Sequence, residues 1–279
     1  MTRGPDTSQA TAFYFRGRTP IFAARTDQRF SYCLHVPSGH ENSDRPLPLV
    51  VLVHGTGRTG PQYRDGFSEW AEEHNALVLA PLFPGGITAP GELHSYKFLM
   101  AGDLRYDRIL LDIVAEVGEA FNVDTGRFLL HGFSGGGQFT QRFFYLHPDR
   151  LRAVSIGAPG RVTMLDDTRN WWLGTRDLEE RSGIRVDVGA LREIPVHMVV
   201  GALDTETWEI NNVGDPNWLD GAQEAGRTRV ERLDSLRRNF EDHGISVEFE
   251  IVPDVGHRGS LVRPAVKRFF SGVLNGARR

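Results

Sequence analysis

Residues 129 to 137 read Leu-Leu-His-Gly-Phe-Ser-Gly-Gly-Gly, and Gly132 to Gly136 match the pattern G-x-S-x-G. A β-favouring run precedes the pattern at 127–130, and a helix-capable run follows it at 138–146. This context is typical of a nucleophile elbow, a strained strand-to-helix turn that exposes the serine hydroxyl. The other interpretation is a glycine-rich turn without a catalytic role. The flanking runs favour the elbow and predict that Ser134 is a nucleophile.

Strand-like and helix-like segments alternate along the chain, which predicts an α/β fold with a mostly parallel sheet and helices on both faces. The continuous apolar run at 49–53 is typical of a strand buried on both sides. At 106–121 the apolar residues recur at helical spacing. The predicted strands are 30–36, 49–53, 76–83, 127–130, 153–156, 196–200 and 247–252, and the predicted helices are 61–73, 106–121, 138–146, 230–240 and 263–274.

The domain organisation is predicted from where the alternation of strand-like and helix-like segments begins and where it is interrupted. Residues 1–12 are expected to be disordered or loosely attached, and residues 13–279 are expected to form a single domain. Residues 161–194 interrupt the rhythm, because they carry Trp171 and Trp172, many charges and no clear strand. Long irregular segments in compact domains are usually functional, so we expect a small cap insertion there. A long surface excursion is the alternative.

Composition excludes several classes of protein. The 279 residues carry a formal net charge of −4, which gives no basic footprint for nucleic acid or an anionic membrane. The single cysteine, Cys33, excludes an internal disulfide and a cysteine-based metal cluster, and its apolar surroundings predict a buried, inert thiol. The sequence shows neither a secretory signal nor a membrane span, so a cytoplasmic location is expected. A small-molecule substrate is the expected partner, and homo-oligomerisation stays open.

A nucleophilic serine needs a base, and the base needs an orienting acid. Asp204 follows the predicted strand 196–200, and His257 follows the predicted strand 247–252. Parallel strands bring their carboxyl ends to one edge of a sheet, so Ser134, Asp204 and His257 are predicted to meet there. An aspartate after a strand is singly more often a turn former, and a loop histidine is usually ordinary surface. The order serine, acid, histidine is what makes the set specific.

The loop after the strand 49–53 reads His54-Gly55-Thr56-Gly57. Acyl transfer passes through an oxyanion that two backbone N–H groups can stabilise. We expect these donors to be the amides of Thr56 and Gly135, and we expect His54 to buttress the loop.

The same loop contains a competing motif. Gly55 to Gly60 satisfy the dinucleotide-binding pattern G-x-G-x-x-G, but the next predicted strand ends without the acid that would bind a ribose hydroxyl. A nicotinamide site is therefore disfavoured. The sequence has neither a P-loop nor an H-E-x-x-H motif, so a nucleotide-triphosphate site and a zinc-protease site have no support, and no metal is expected.

These motifs resemble the α/β-hydrolase superfamily over about 30–274. The H-G-T-G loop and the G-F-S-G-G elbow are similar to small bacterial esterases related to polyhydroxyalkanoate depolymerases, feruloyl esterases and dienelactone hydrolases. The resemblance implies a mostly parallel sheet of about eight strands and a Ser-His-Asp triad that needs no cofactor. The long tract 205–226 puts the acid in doubt, and Glu206 is the nearest substitute for Asp204.

The expected reaction is hydrolysis of a small, aromatic or hydrophobic carboxylic ester or amide through an acyl-enzyme. The alternatives are an amidase or acyltransferase with the same triad, and a non-catalytic binding protein with this fold. Arg58, Lys97 and Arg105 are candidates to meet a substrate carboxylate, although solvated surface roles are favoured for them. The substrate pocket is expected to include aromatic residues, namely Phe133, Tyr96, Trp171, Trp172 and Trp208.

Overall fold

The computed structural model describes residues 14–208, 210 and 213–276. The predicted disorder of 1–12 lies outside these residues. Strands are β1 (Gly17–Arg18), β2 (Phe22–Ala23), β3 (Ser31–Val36), β4 (Leu49–Val53), β5 (Leu77–Leu82), β6 (Met100–Ala101), β7 (Leu104–Arg105), β8 (Phe128–Phe133), β9 (Leu151–Gly157), β10 (Val196–Gly201) and β11 (Val247–Val252). Helices are α1 (Gly60–His74), α2 (Tyr106–Ala120), α3 (Gly135–Leu146), α4 (Leu178–Ser182), α5 (Val188–Arg192), α6 (Arg229–Asp242) and α7 (Gly259–Gly276).

Nine strands form one sheet in the order β1-β3-β5-β4-β8-β9-β10-β11, with β2 paired to β3. The pairs from β5 and β4 through to β10 and β11 are parallel, whereas β3 runs antiparallel to β5. The predicted α/β class with a mostly parallel sheet is therefore confirmed. The carboxyl ends of β4, β8, β9, β10 and β11 lie at one edge.

Helices cover both faces of the sheet, as the alternating pattern predicts. On one face α1 contacts α7, where the indole of Trp70 donates a hydrogen bond to Ser271 Oγ at 2.8 Å. On the other face α3 packs against α6 through Phe144 and Phe240. All five residues of β4 are buried, so its uninterrupted apolar run reflects a strand enclosed by both layers.

The structure corrects several predicted boundaries. The elbow strand is predicted to end at Leu130, but β8 continues to Phe133 because β4 pairs with it as far as Gly132 and β9 as far as Phe133. The two-residue strands β1, β2, β6 and β7 carry no run long enough to be seen in the sequence. Residues 161–194 contain two short helices, α4 and α5, and no strand.

Cys33 is a buried free thiol, and burial raises its pKa, in agreement with the inert role expected for it. No helix among the described residues is long and apolar enough to cross a membrane.

Candidate active site

The turn between β8 and α3 holds Ser134 in a strained conformation. Its φ of 60° and ψ of −115° lie in a region that non-glycine residues rarely adopt. A Cβ on Gly132 would overlap the carbonyl of Gly136, and a Cβ on Gly136 would overlap the carbonyl of Val53. The two flanking glycines are thus required by close backbone approach, which is the physical basis of the G-x-S-x-G pattern.

Ser134, His257 and Asp204 form a continuous chain of hydrogen bonds. The Oγ of Ser134 lies 2.9 Å from His257 Nε2, and His257 Nδ1 lies 2.6 Å from Asp204 Oδ2. Asp204 is fully buried, whereas 23% of the His257 side chain is exposed. An aspartate at Nδ1 fixes the proton on that nitrogen and leaves Nε2 to accept the serine proton. The structure thus brings together the three side chains that the sequence selected.

Asp204 has a second partner that sequence reasoning missed. Its Oδ1 lies 3.4 Å from Nη1 of Arg229. The same Nη1 donates to the carbonyl of Glu206, and Nη2 donates to the carbonyl of Trp208. Arg229 is the first residue of α6, whose start is fixed by a capping box between Thr228 and Glu231. That T-x-x-E pattern is a sequence signal for the start of this helix.

Glu206, the substitute acid considered above, has an exposed side chain. The histidine contact belongs to Asp204 alone among the described acidic residues.

The backbone amides of Thr56 and Gly135 lie close to Ser134. A Cβ on Gly135 would lie 3.2 Å from the Thr56 nitrogen, so the two amides expected to form the oxyanion hole are close neighbours. Within the described chain, neither N–H group donates a hydrogen bond to another residue. Gly135 is also the first residue of α3, where amides lack an intrahelical acceptor and the helix dipole is positive.

The loop that carries Thr56 is held by His54 and Arg58. His54 donates through Nδ1 to the carbonyl of Gly55 at 2.8 Å and accepts through Nε2 from the amide of Phe83 at 3.0 Å. Burial lowers its pKa to about 4, so it stays neutral and serves as the buttress expected for it. Arg58 donates to the carbonyls of Thr56, Phe83 and Leu93. It therefore positions the loop and is not a solvated surface residue.

Comparison with known proteins shows which sequences and folds this chain is similar to. No protein-family model matches the chain. It is 25% identical over 245 residues to dipeptidyl aminopeptidase BIII from Pseudoxanthomonas mexicana, an alignment that covers 84% of this chain. The matched region spans 33% of that relative.

Several solved structures have a fold similar to that of this chain. A poly(3-hydroxybutyrate) depolymerase from Bordetella parapertussis has a TM-score of 0.75 at 22% identity, covering 94% of this chain and 93% of that one. Poly(aspartic acid) hydrolase-1 from Sphingomonas sp. KT-1 has a TM-score of 0.71 at 19% identity, covering 86% of this chain and 92% of that one. The chain has the α/β-hydrolase fold.

The aromatic residues expected in the pocket of this α/β-hydrolase fold have different environments. Phe133 is buried, with its ring 4.9 Å from that of His257, and buried Tyr96 donates its hydroxyl proton to the carbonyl of His54 at 3.1 Å. Trp171 and Trp172 line a cavity of about 720 Å³. Trp208 is 58% exposed. Of the five predicted pocket residues, Trp171 and Trp172 line this cavity, whereas Phe133 packs against His257 and Tyr96 hydrogen-bonds to the loop that follows β4.

Two further basic residues differ from their expected surface roles. Lys97 is buried, and its Nζ donates to His94 Nδ1 at 2.8 Å. Arg105 is mostly buried and binds both carboxylate oxygens of Asp107. Charged side chains are usually at the surface. The sequence therefore favours surface roles for Lys97 and Arg105 and does not predict their burial.

One group of side chains has the composition of a metal site. Ligand atoms of His197, Glu248 and Glu250 lie within 4.8 Å of one another on β10 and β11. Glu250 is already paired with Arg268 at 2.6 Å, and the group lies within the strands and not at their carboxyl ends. The arrangement at Ser134 does not involve these residues.

Proposed function

We propose that this protein is a serine hydrolase that cleaves a small carboxylic ester, with Ser134 as nucleophile, His257 as base and Asp204 as orienting acid. The observation that carries the proposal is the hydrogen-bonded chain from Ser134 through His257 to Asp204, on an elbow of positive φ. Several solved structures of similar fold are hydrolases by name, among them the poly(3-hydroxybutyrate) depolymerase, which supports hydrolysis as the chemistry.

The reaction begins when His257 Nε2 takes the proton of Ser134 as the Oγ attacks the ester carbonyl carbon. The negative charge that develops on the carbonyl oxygen is held by the N–H groups of Thr56 and Gly135. Asp204 keeps the proton on His257 Nδ1 and stabilises the imidazolium. His257 then protonates the leaving alcohol, and an acyl-serine remains.

Water completes the cycle. His257 removes a proton from a water molecule, which attacks the acyl carbonyl through a second oxyanion held by the same two amides. Collapse of that intermediate releases the carboxylic acid and returns the proton to Ser134. The residues of the triad and the two amides suffice for this sequence.

The substrate is proposed to be aromatic or hydrophobic on one side of the ester. The cavity of about 720 Å³ that Trp171 and Trp172 line is large enough for such a group, although neither Ser134 nor His257 is part of its lining. Aromatic walls favour flat or apolar groups through packing and ring stacking.

Amide hydrolysis is the second candidate, because the sequence relative of 25% identity is an aminopeptidase by name. The same triad can transfer an acyl group from either an ester or an amide. The experiment is a panel of nitrophenyl esters and matched nitroanilides of varied acyl length and aromaticity. We expect ester hydrolysis in the wild type and its loss in Ser134→Ala by about 10⁶-fold in kcat. Equal turnover by both proteins would refute the proposal, and faster anilide than ester cleavage would favour the amidase.

A further inference from the structure

A row of polar side chains crosses four neighbouring strands of the sheet. His131 of β8 is in register with Ser155 of β9, and Ser155 is in register with His197 of β10. His197 is in register with Glu248 of β11, which is the last strand of the sheet. The two histidines and Ser155 are buried, whereas Glu248 is exposed. The row therefore runs from the core to the solvent-exposed edge of the sheet.

The inner part of this row is hydrogen-bonded, but its outer part is not. Ser155 Oγ lies 3.1 Å from His131 Nδ1 and 2.9 Å from His197 Nδ1. His197 Nε2 is buried and has no hydrogen-bond partner among the residues that the structure describes. Buried polar atoms in folded proteins nearly always have a partner. The Nε2 atom of His197 therefore needs a partner other than the described side chains.

Two carboxylates of the edge strand converge on His197. A ring nitrogen of His197 and one carboxylate oxygen each of Glu248 and Glu250 lie within 4.8 Å of one another. Because Nδ1 is bound to Ser155 on β9, Nε2 is the nitrogen left for β11, on the other side of β10. Two ligands on opposite sides of a zinc ion, at bond lengths of about 2.1 Å, are about 4.2 Å apart. The three groups are therefore compact enough to surround one ion.

The ion pairs at this edge leave the carboxylates accessible to a metal ion. Glu250 pairs with Arg268 of α7 at 2.6 Å, whereas no ion pair within the described chain involves Glu248. The Arg268 side chain is 64% exposed, so water screens its attraction to Glu250 and the pair is weak. Arg237 lies over the ring of Phe249, which points to the opposite face of β11. A metal ion would therefore compete with Arg268 alone, and only for Glu250.

The donor set favours a late first-row metal ion. Imidazole nitrogen suits Zn²⁺ and its neighbours, whereas Mg²⁺ and Ca²⁺ prefer oxygen ligands alone. Burial lowers the pKa of His197 to about 3, so its imidazole is neutral, which is the form that binds metals. The Ser155 hydroxyl can accept a hydrogen bond from His197 Nδ1, which leaves the lone pair on Nε2. Metal-binding histidines are usually oriented by such a bond from the second ring nitrogen.

We propose that His197, Glu248 and Glu250 bind one Zn²⁺ ion, or a similar late first-row divalent ion, that joins β10 to β11. These residues lie in the first four positions of the two strands, whereas Asp204 and His257 follow the carboxyl ends of the same strands. The ion would stabilise the framework of the active site and take no part in the reaction. No motif within one segment reports this site, because its ligands come from strands far apart in the chain.

The test is Zn²⁺ binding by the full chain without a histidine tag, stripped with a chelator, desalted and titrated in a calorimeter. We expect one equivalent to bind with a Kd below about 10 μM, and Mg²⁺ and Ca²⁺ to bind at least about 100-fold more weakly. His197→Gln and Glu248→Gln are each expected to weaken binding about 10-fold or more. Glu248 is exposed, so its variant serves if His197→Gln does not fold.

Arg268→Met gives a result that a nonspecific zinc site would not give. It is expected to tighten Zn²⁺ binding at least about twofold, because Glu250 loses the cation that competes with the metal. Glu180→Gln, at an exposed glutamate of α4, is the matched control and is expected to leave the Kd unchanged. Unchanged or weaker binding in Arg268→Met would overturn the inference.

Thermal unfolding provides a second readout. Saturating Zn²⁺ is expected to raise the unfolding midpoint of the wild type and of Ser134→Ala equally, and to raise that of Glu248→Gln much less. Zn²⁺ binding that Glu248→Gln leaves unchanged would show an adventitious ion only and overturn the inference. Absence of binding below about 100 μM, or binding of Mg²⁺ as tight as that of Zn²⁺, would overturn it too. The hydrolase proposal stands or falls separately, on its own kinetic test.

Discussion

Asp204 divides its two carboxylate oxygens between a histidine and an arginine. Oδ2 receives His257 Nδ1, and Oδ1 lies 3.4 Å from Arg229. Arg229 therefore contacts both the Asp204 carboxylate and the backbone carbonyls of Glu206 and Trp208, which lie in the tract that follows Asp204. This arrangement accounts for the fact that an acid followed by a long irregular tract still reaches the histidine.

The choice between the two candidate acids is directly testable. Asp204→Asn is expected to lower kcat by about 10⁴-fold, because an amide at this position favours the wrong tautomer of His257. Glu206→Gln is the matched control and is expected to change kcat less than about twofold, since its side chain is exposed. Steady-state kinetics on one nitrophenyl ester measures both. A larger loss in Glu206→Gln would show that the acid is misassigned.

At the scale of elements, the elbow depends on how closely α3 approaches β4 and β8. Gly136→Ala is expected to lower the free energy of unfolding by about 1–3 kcal/mol, because the added methyl group meets the carbonyl of Val53. Gly272→Ala in α7 is the control, since its Cβ would enter open space, and helix propensity predicts a gain of about 0.5–1 kcal/mol. Urea unfolding measures both values, and similar changes in the two variants would argue against the close approach.

The sequence predicts elements well where burial imposes a pattern. The strand at 49–53 and the strand at 247–252 match β4 and β11 residue for residue. The sequence does not predict short strands that form only by pairing with a segment elsewhere in the chain, as for β1, whose two residues pair with β3. A strand of two residues has no periodicity to read, and its partner is set by the tertiary fold.

On the scale of the whole molecule, Asp107 connects three parts of the fold. It lies in the first turn of α2, binds His147 at the end of α3, and pairs with Arg105, which also donates to the carbonyl of Ser182. Burial alone would raise the pKa of Asp107, but the hydrogen bonds from His147 and Arg105 outweigh it and lower the pKa to about 2.

This pKa gives a pH dependence of defined sign. The folded pKa lies below the value of about 3.9 expected for the unfolded chain, so Asp107 stabilises the fold above about pH 4 and loses this contribution as the pH falls towards 2. Asp107→Asn is expected to cost about 2 kcal/mol at pH 6, and the difference from the wild type is expected to shrink between pH 4 and pH 2. Urea unfolding across this range measures it, and a difference independent of pH would contradict the assignment.

The burial of charged side chains is the feature of this molecule that its sequence predicts least well. Ser134, Asp204 and His257 could be selected because each follows a strand at one edge of a parallel sheet. The burial of Lys97 and Arg161 could not be predicted in the same way, since a basic residue normally lies in solvent and no local pattern reports its burial. Their environment is created by segments far apart in the chain, as with Arg161 and Asp215.

The central claim is that Ser134 is a nucleophile activated by His257, and covalent labelling with a fluorophosphonate tests it most directly. Mass spectrometry of the digested adduct is expected to place one phosphonyl group on the peptide that contains Ser134. Labelling is expected to be abolished in Ser134→Ala and strongly slowed in His257→Ala. A wild-type protein that takes no label, or a Ser134→Ala variant that is labelled at the wild-type rate, would contradict the account.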